Sequence, residues 1–300
     1  MTGASSPSTL RIELPELTIA ALTWGPADGP LAILLHGYPD SAWSWRYLGP
    51  ALAGEGYRVV APFTRGYAPT DIPSDRDFNI GALMHDVLGV HRELGGGKDA
   101  VLIGHDWGAV TANALAAYEN SPFRSVVSMS VPPVPAMTKS DLSTWSRLRL
   151  SRRQARNSWY IMFNQLPLIS ERSLGRLIPW LWSDWSPGYD ATEDLEYVFA
   201  SLPTLENRWA ALRYYRSVPS PRRPKARYRE LQRVWRGAPI VPTLYLHGAD
   251  DGCMQVEYVA PVREVLPQGS RVHIIDKAGH FLQVEQPTAV NENIIAFLTD

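Results

Sequence analysis

Cysteine is nearly missing from this chain: Cys253 is the only one among 300 residues. A lone thiol excludes a disulfide framework and a cysteine-built zinc site. It fits a reducing compartment, and the cytoplasm is the expected location. Long apolar runs are missing too. No stretch approaches the ~18 uninterrupted apolar residues of a membrane-spanning helix. Residues 1–8 lack a basic segment followed by an apolar one, so no secretory leader is expected, and they read as a disordered tail. An excess of one charge is also missing, since 29 Lys and Arg face 30 Asp and Glu. With no nucleic-acid-binding motif in view, nucleic acid is not an expected partner. Internal repeats and low-complexity tracts are absent. The length suits an α/β domain plus an insertion, or two domains, and 11 tryptophans allow a large core and an aromatic pocket.

Two loosely alternating stretches between Thr9 and Trp24, broken by Pro15, predict antiparallel strands at a sheet edge. Leu31–Leu35 is continuously apolar, as a parallel strand buried on both faces must be. A helix over 42–54, a strand over 57–61 and a helix over 79–94 follow. Then come the strand ending at Ile103, a helix from Ala109, and a strand over 125–130. This alternation predicts a parallel sheet covered on both faces. At Val131-Pro132-Pro133-Val134-Pro135 the pattern stops. Residues 136–236 carry no strong strand signal and hold seven of the tryptophans. From Asp141 to Arg236, 17 Lys and Arg stand against 9 Asp and Glu, which is +8 here and −9 elsewhere. The surplus fits a solvated helical face with Arg stems packed on Trp rings better than an anionic partner. The shift marks an inserted helical unit at 135–236, dividing a core made of 1–134 and 237–300. The pattern resumes with strands over 240–246 and 271–275 and helices over 255–265 and 287–298.

The chemistry centres on Gly104-His105-Asp106-Trp107-Gly108, between the strand and helix around it. This is the context of a nucleophile elbow, where small flanking residues allow a sharp turn and the tip side chain points off the sheet. Here the tip is a carboxylate. Unlike a serine, it needs no base before attacking a saturated carbon and forming an alkyl ester. The alternative is that Asp106 merely caps the helix. Hydrolysing such an ester needs a base and an acid to orient it. His280, in Gly279-His280-Phe281 after the strand ending at Ile275, takes the first role in the chain order nucleophile, acid, histidine. After the strand over 240–246, Gly248-x-x-Asp points to Asp251, with Asp250 as the alternative; His247 reads as structural. The oxyanion formed by water attack needs backbone N–H groups, from Trp107 and from His36-Gly37-Tyr38-Pro39, at Tyr38.

These motifs resemble the α/β-hydrolase superfamily over essentially the whole chain, and within it the epoxide hydrolases, close to the haloalkane dehalogenases. The resemblance implies an eight-stranded, mostly parallel sheet with helices on both faces and an inserted helical cap over 135–236. It implies a small hydrophobic epoxide as substrate, a detoxifying use, and no metal or organic cofactor. In the family, two cap tyrosines assist the departing epoxide oxygen. Ser158-Trp159-Tyr160-Ile161-Met162-Phe163-Asn164-Gln165-Leu166-Pro167 is similar to the first stretch and Arg213-Tyr214-Tyr215-Arg216 to the second. That implies Tyr160 and Tyr215, with Tyr214 the neighbouring alternative to the latter. A haloalkane dehalogenase with the same triad is the rival. Asn after His-Gly would favour it, and this chain has Tyr38. Fluoroacetate-type enzymes carry Arg after the nucleophile, and this chain has Trp107. The family usually places Asp two residues before Arg65-Gly66; Phe63 stands there, which withdraws a supporting contact. The oligomeric state is open, and a homodimer is compatible with the sequence.

Overall fold

A computed structural model describes residues 6–138, 144–220 and 223–300. Its strands are β1 (Ser8–Glu13), β2 (Thr18–Trp24), β3 (Leu31–Leu35), β4 (Arg58–Pro62), β5 (Val101–His105), β6 (Ser125–Met129), β7 (Thr243–Gly248) and β8 (Arg271–Ile275). They form a sheet of eight among the described residues, in the order β1-β2-β4-β3-β5-β6-β7-β8. Only the β1–β2 and β2–β4 pairs are antiparallel. The β3, β5, β6 and β7 strands are buried at every residue, because helices cover both faces of a parallel sheet, which explains the unbroken apolar run of β3. The expected tail at 1–8 lies partly outside the described residues, and Ser8 already pairs in β1.

Helices α1 (Leu48–Gly54), α2 (Ile80–Glu93) and α3 (Trp107–Ala116) alternate with the first strands, and α11 (Val259–Val265), α12 (Leu282–Glu285) and α13 (Pro287–Thr299) close the chain. The single helix expected over 42–54 is instead a 3-10 turn, Ala42–Trp45, followed by α1. Pro50 explains the break: without an N–H it cannot bond the carbonyl four residues back, so it fits only the first turn of a new helix. The expected strand over 240–246 starts at Thr243, because Ile240 and Val241 give their N–H groups to the Ala116 carbonyl at the end of α3 (2.8 and 3.2 Å). The short α12 carries no sequence signal.

Between β6 and β7 the described residues form α4 (Val134–Thr138), α5 (Thr144–Asn157), α6 (Trp159–Phe163), α7 (Ile169–Trp185), α8 (Thr192–Ser201), α9 (Leu205–Ser217) and α10 (Arg229–Val234). The α10 end packs on α2. A Cβ on Gly81 would stand 2.6 Å from the Tyr228 carbonyl oxygen, and the Gly81 N–H is bonded to Gln232 Oε1 at 2.7 Å. Arg65 is fully buried and makes a two-pronged bond to Asp86 of α2, Nε–Oδ2 2.7 Å and Nη2–Oδ1 2.6 Å. Among the described residues, no helix is long and apolar enough to cross a membrane.

Candidate active site

Four strands carry the candidate residues at their C-terminal ends, where ligands bind in open α/β sheets. The β3 strand runs into His36-Gly37-Tyr38, β5 into Asp106, β7 into Asp251 and β8 toward His280. Asp106 sits at φ +52°, ψ −116°, a conformation that costs a non-glycine residue roughly 1–3 kcal/mol and persists only where packing enforces it. The enforcement is visible. A Cβ on Gly104 would come within 2.2 Å of the Gly108 carbonyl oxygen, and one on Gly108 within 2.0 Å of the Leu35 carbonyl oxygen. The helix-cap alternative fails, because the Asp106 side chain makes no capping bond. Its Oδ1 accepts the Tyr38 backbone N–H at 2.7 Å. Gly37 lets the β3 loop come so close, since a Cβ there would lie 2.4 Å from Asp106 Oδ1. The Tyr38–Pro39 peptide is cis. Trp107 opens α3, where backbone N–H groups have no acceptor within the helix.

His280 lies between two carboxylates. Its Nδ1 is 3.0 Å from Asp251 Oδ2, and its Nε2 is 3.6 Å from Asp106 Oδ2. Asp251 Oδ1 also accepts the N–H groups of Cys253 and Met254 (2.7 and 2.9 Å). Burial would raise the Asp251 carboxyl, but the imidazole beside it holds it below the usual carboxylate range. Burial would lower the imidazole, and the two carboxylates overcome it, pushing His280 up to about 10. Asp250 is exposed, and the carboxylate that meets the His280 ring at Nδ1 is that of Asp251. His247 has both ring nitrogens engaged, with the Tyr245 hydroxyl (2.8 Å) and the Met254 carbonyl (3.2 Å).

The two tyrosines stand over this group. Tyr160 and Tyr215 are 4% and 5% exposed, with ring centroids 5.5 Å apart. The Tyr215 ring also meets Trp107 (5.0 Å) and Tyr38 (5.1 Å) edge-on. The Tyr215 hydroxyl is buried and has no hydrogen-bond partner, whereas the adjacent Tyr214 gives its hydroxyl proton to the Arg65 carbonyl at 2.9 Å. The Tyr160 hydroxyl is 3.7 Å from the buried Cys253 sulfur. Burial pushes both phenols well above their ordinary value, so each stays a proton donor at neutral pH.

Sequence reasoning missed what holds the histidine. The His280 N–H donates to the Trp185 carbonyl (2.9 Å), which also accepts the Gly252 N–H (3.1 Å). One carbonyl at the end of α7 thereby ties the acid loop to the base loop. The His280 carbonyl accepts from Ser130 Oγ (2.7 Å) and His105 Nε2 (2.9 Å), which fixes a proton on His105 Nε2. These are backbone partners, and no residue pattern announces them.

The α/β hydrolase fold family matches residues 30–287. Epoxide hydrolase 3 of Xenopus tropicalis is 31% identical over 287 residues, covering 92% of this chain and 73% of the frog protein. Epoxide hydrolase A of Mycobacterium tuberculosis is 29% identical, with 98% of each chain covered. Among solved structures, Epoxide Hydrolase A from Mycobacterium thermoresistibile superposes with a TM-score of 0.74 at 27% identity, over 98% of both chains. The chain therefore belongs to the α/β-hydrolase family, in its epoxide hydrolase branch.

Proposed function

We propose that the protein hydrolyses an epoxide to a vicinal diol, with residues 135–236 serving as a cap over the site. Asp106 Oδ2 attacks a ring carbon. The carbon–oxygen bond breaks, and the departing oxygen takes a proton from Tyr160 or Tyr215, leaving an alkyl ester on Asp106 and a tyrosinate. The ester neutralises Asp106, so His280 gives up its proton to solvent (regained once Asp106 is again a carboxylate); oriented by Asp251, it then removes a proton from water, and the hydroxide adds to the Asp106 carbonyl carbon. The N–H groups of Tyr38 and Trp107 hold the oxyanion. The intermediate collapses, the proton on His280 passes to the leaving alkoxide, and the diol departs. The remaining proton on the Asp106 carboxyl returns to the tyrosinate.

The observation that carries this reading is the buried, unpartnered Tyr215 hydroxyl beside Tyr160, above a carboxylate nucleophile. A departing epoxide oxygen is a strong base and needs such a donor. The 31% identical relative named as an epoxide hydrolase supports the same reading. One feature suits a haloalkane dehalogenase: the buried Trp185 Nε1, also without a partner, is a donor suited to a halide. We place the activity in the cytoplasm, where the free, buried Cys253 is compatible with a reducing compartment, and read its use as clearance of reactive epoxides.

His280→Gln tests the scheme. The variant is expected to form the ester but not hydrolyse it, so intact-protein mass spectrometry after epoxide addition shows a gain equal to the epoxide mass, mapped to Asp106. An unmodified mass, or halide release without diol formation from wild type, overturns the proposal.

A further inference from the structure

We propose that the Tyr38 hydroxyl and the Asn164 carboxamide form a polar subsite that binds a neutral hydrogen-bonding group, a hydroxyl or an amide, carried by the substrate a few atoms from its epoxide ring. The inference rests on the epoxide hydrolase reading and adds to it a substrate class.

Asn164 is the C-terminal cap of α6, and its N–H donates to the Tyr160 carbonyl at 2.8 Å, an ordinary helical bond. Residues four apart lie on one helix face. Asn164 is therefore about one turn, ~5.4 Å, along the cap from the tyrosine that meets the epoxide oxygen. The side chain is wholly buried, and neither its Nδ2 nor its Oδ1 has a partner among the described residues. The Tyr38 hydroxyl is buried and unpartnered in the same way. Burial pushes the Tyr38 phenol up, and a polar interaction with the Asn164 amide that falls short of a formed hydrogen bond opposes that rise, so the two groups are neighbours that leave each other unsatisfied. The Tyr38 ring in turn contacts Tyr215, and its backbone N–H holds Asp106. The pair is thus continuous with the reacting centre.

A pocket shaped for a plain alkyl or aryl epoxide would be filled here by apolar side chains. An unpaired amide in an apolar interior destabilises the fold unless a ligand satisfies it. The chemistry of the pair also limits the ligand. A carboxamide and a phenol each give and accept a hydrogen bond, which matches a hydroxyl or an amide. Arg216, whose Nε reaches the Asn164 backbone carbonyl (2.7 Å), is already paired with Glu171 (2.6 Å), so it offers no free charge to an anionic head group. One helical turn corresponds to roughly three to five atoms of extended chain between the ring and the polar group.

The test compares an epoxide with a terminal hydroxyl on a short alkyl chain and its isostere ending in methyl, at equal chain length. The readout is the ratio of their kcat/KM values in wild type, Asn164→Leu and Tyr38→Phe. Wild type is expected to favour the hydroxyl compound by about tenfold or more. Asn164→Leu should bring the ratio to about one, and Tyr38→Phe should lower it in the same direction. Asn164→Leu should also raise the thermal midpoint, since it removes a buried unpaired amide without removing its bulk; a lowered midpoint counts against the amide being an orphan. A wild-type ratio near one, or a ratio unmoved by both substitutions while diol still forms, overturns the subsite and leaves the epoxide hydrolase reading standing. No diol from either compound refutes that reading, and the subsite with it.

Discussion

In the proposed scheme His280 is a poor base as it stands in the free enzyme, and forming the ester should turn it into a good one. The imidazole Nε2 lies 3.6 Å from Asp106 Oδ2. At an effective dielectric constant of ~20, a unit charge at that distance is worth about 5 kcal/mol. By the same conversion this amounts to about three pH units on the imidazole. Alkylation neutralises Asp106, and Asp106→Asn does the same without changing shape. The substitution should therefore bring His280 from about 10 down to roughly 7, still supported by Asp251. Nuclear magnetic resonance titration of the ring nitrogens, with His280→Gln to assign the signal, reads this directly. Stability should follow. A histidine whose pKa is raised by folding contributes fully below its unfolded value, ~6.5, and loses that contribution as pH climbs through its folded value. In wild type the loss should extend to about pH 10, and in Asp106→Asn it should be complete near neutrality. Urea unfolding at stepped pH, with wild type and variant compared, isolates the difference. A His280 titration that stays within one pH unit of 10 in Asp106→Asn refutes the reasoning, because Asp106 would then not govern the base.

The remaining expectations concern neighbouring residues with different partners. Tyr160→Phe combined with Tyr215→Phe should slow single-turnover ester formation by ~10²–10⁴-fold. Tyr214→Phe, whose hydroxyl serves the Arg65 carbonyl, should cost stability of about 1 kcal/mol and little rate; equal rate losses would reject the distinction. Asp86→Ala leaves the buried Arg65 guanidinium without its carboxylate and should destabilise the protein by about 3–5 kcal/mol in denaturant unfolding. A change below 1 kcal/mol would mean another group balances Arg65.

The parts of the molecule that could be read from sequence share one physical property. They need particular side chains at particular spacings. Unbroken apolar runs such as Leu31–Leu35 exist because both faces of a parallel strand are covered. Small residues flank Asp106 because nothing larger fits beside the Leu35 and Gly108 carbonyls. Between Asp250 and Asp251, or Tyr214 and Tyr215, spacing alone leaves adjacent residues nearly equivalent. The choice depends on which side chain the backbone turns toward His280 or toward the cleft. The start of β7 could not be read because Ile240 and Val241 look like strand residues, yet their N–H groups bond the end of α3. The hold on His280 is harder still. Trp185 acts through its carbonyl, which every residue type possesses, and the acceptor on His280 for Ser130 and His105 is likewise main chain. Ser130 alone left a trace, a non-glycine residue at φ +66° directly after β6, and that trace is one of conformation. The proposed base, His280, is thus specified twice: its identity and rank in the chain by sequence, its aim by main-chain groups whose positions only the folded chain determines.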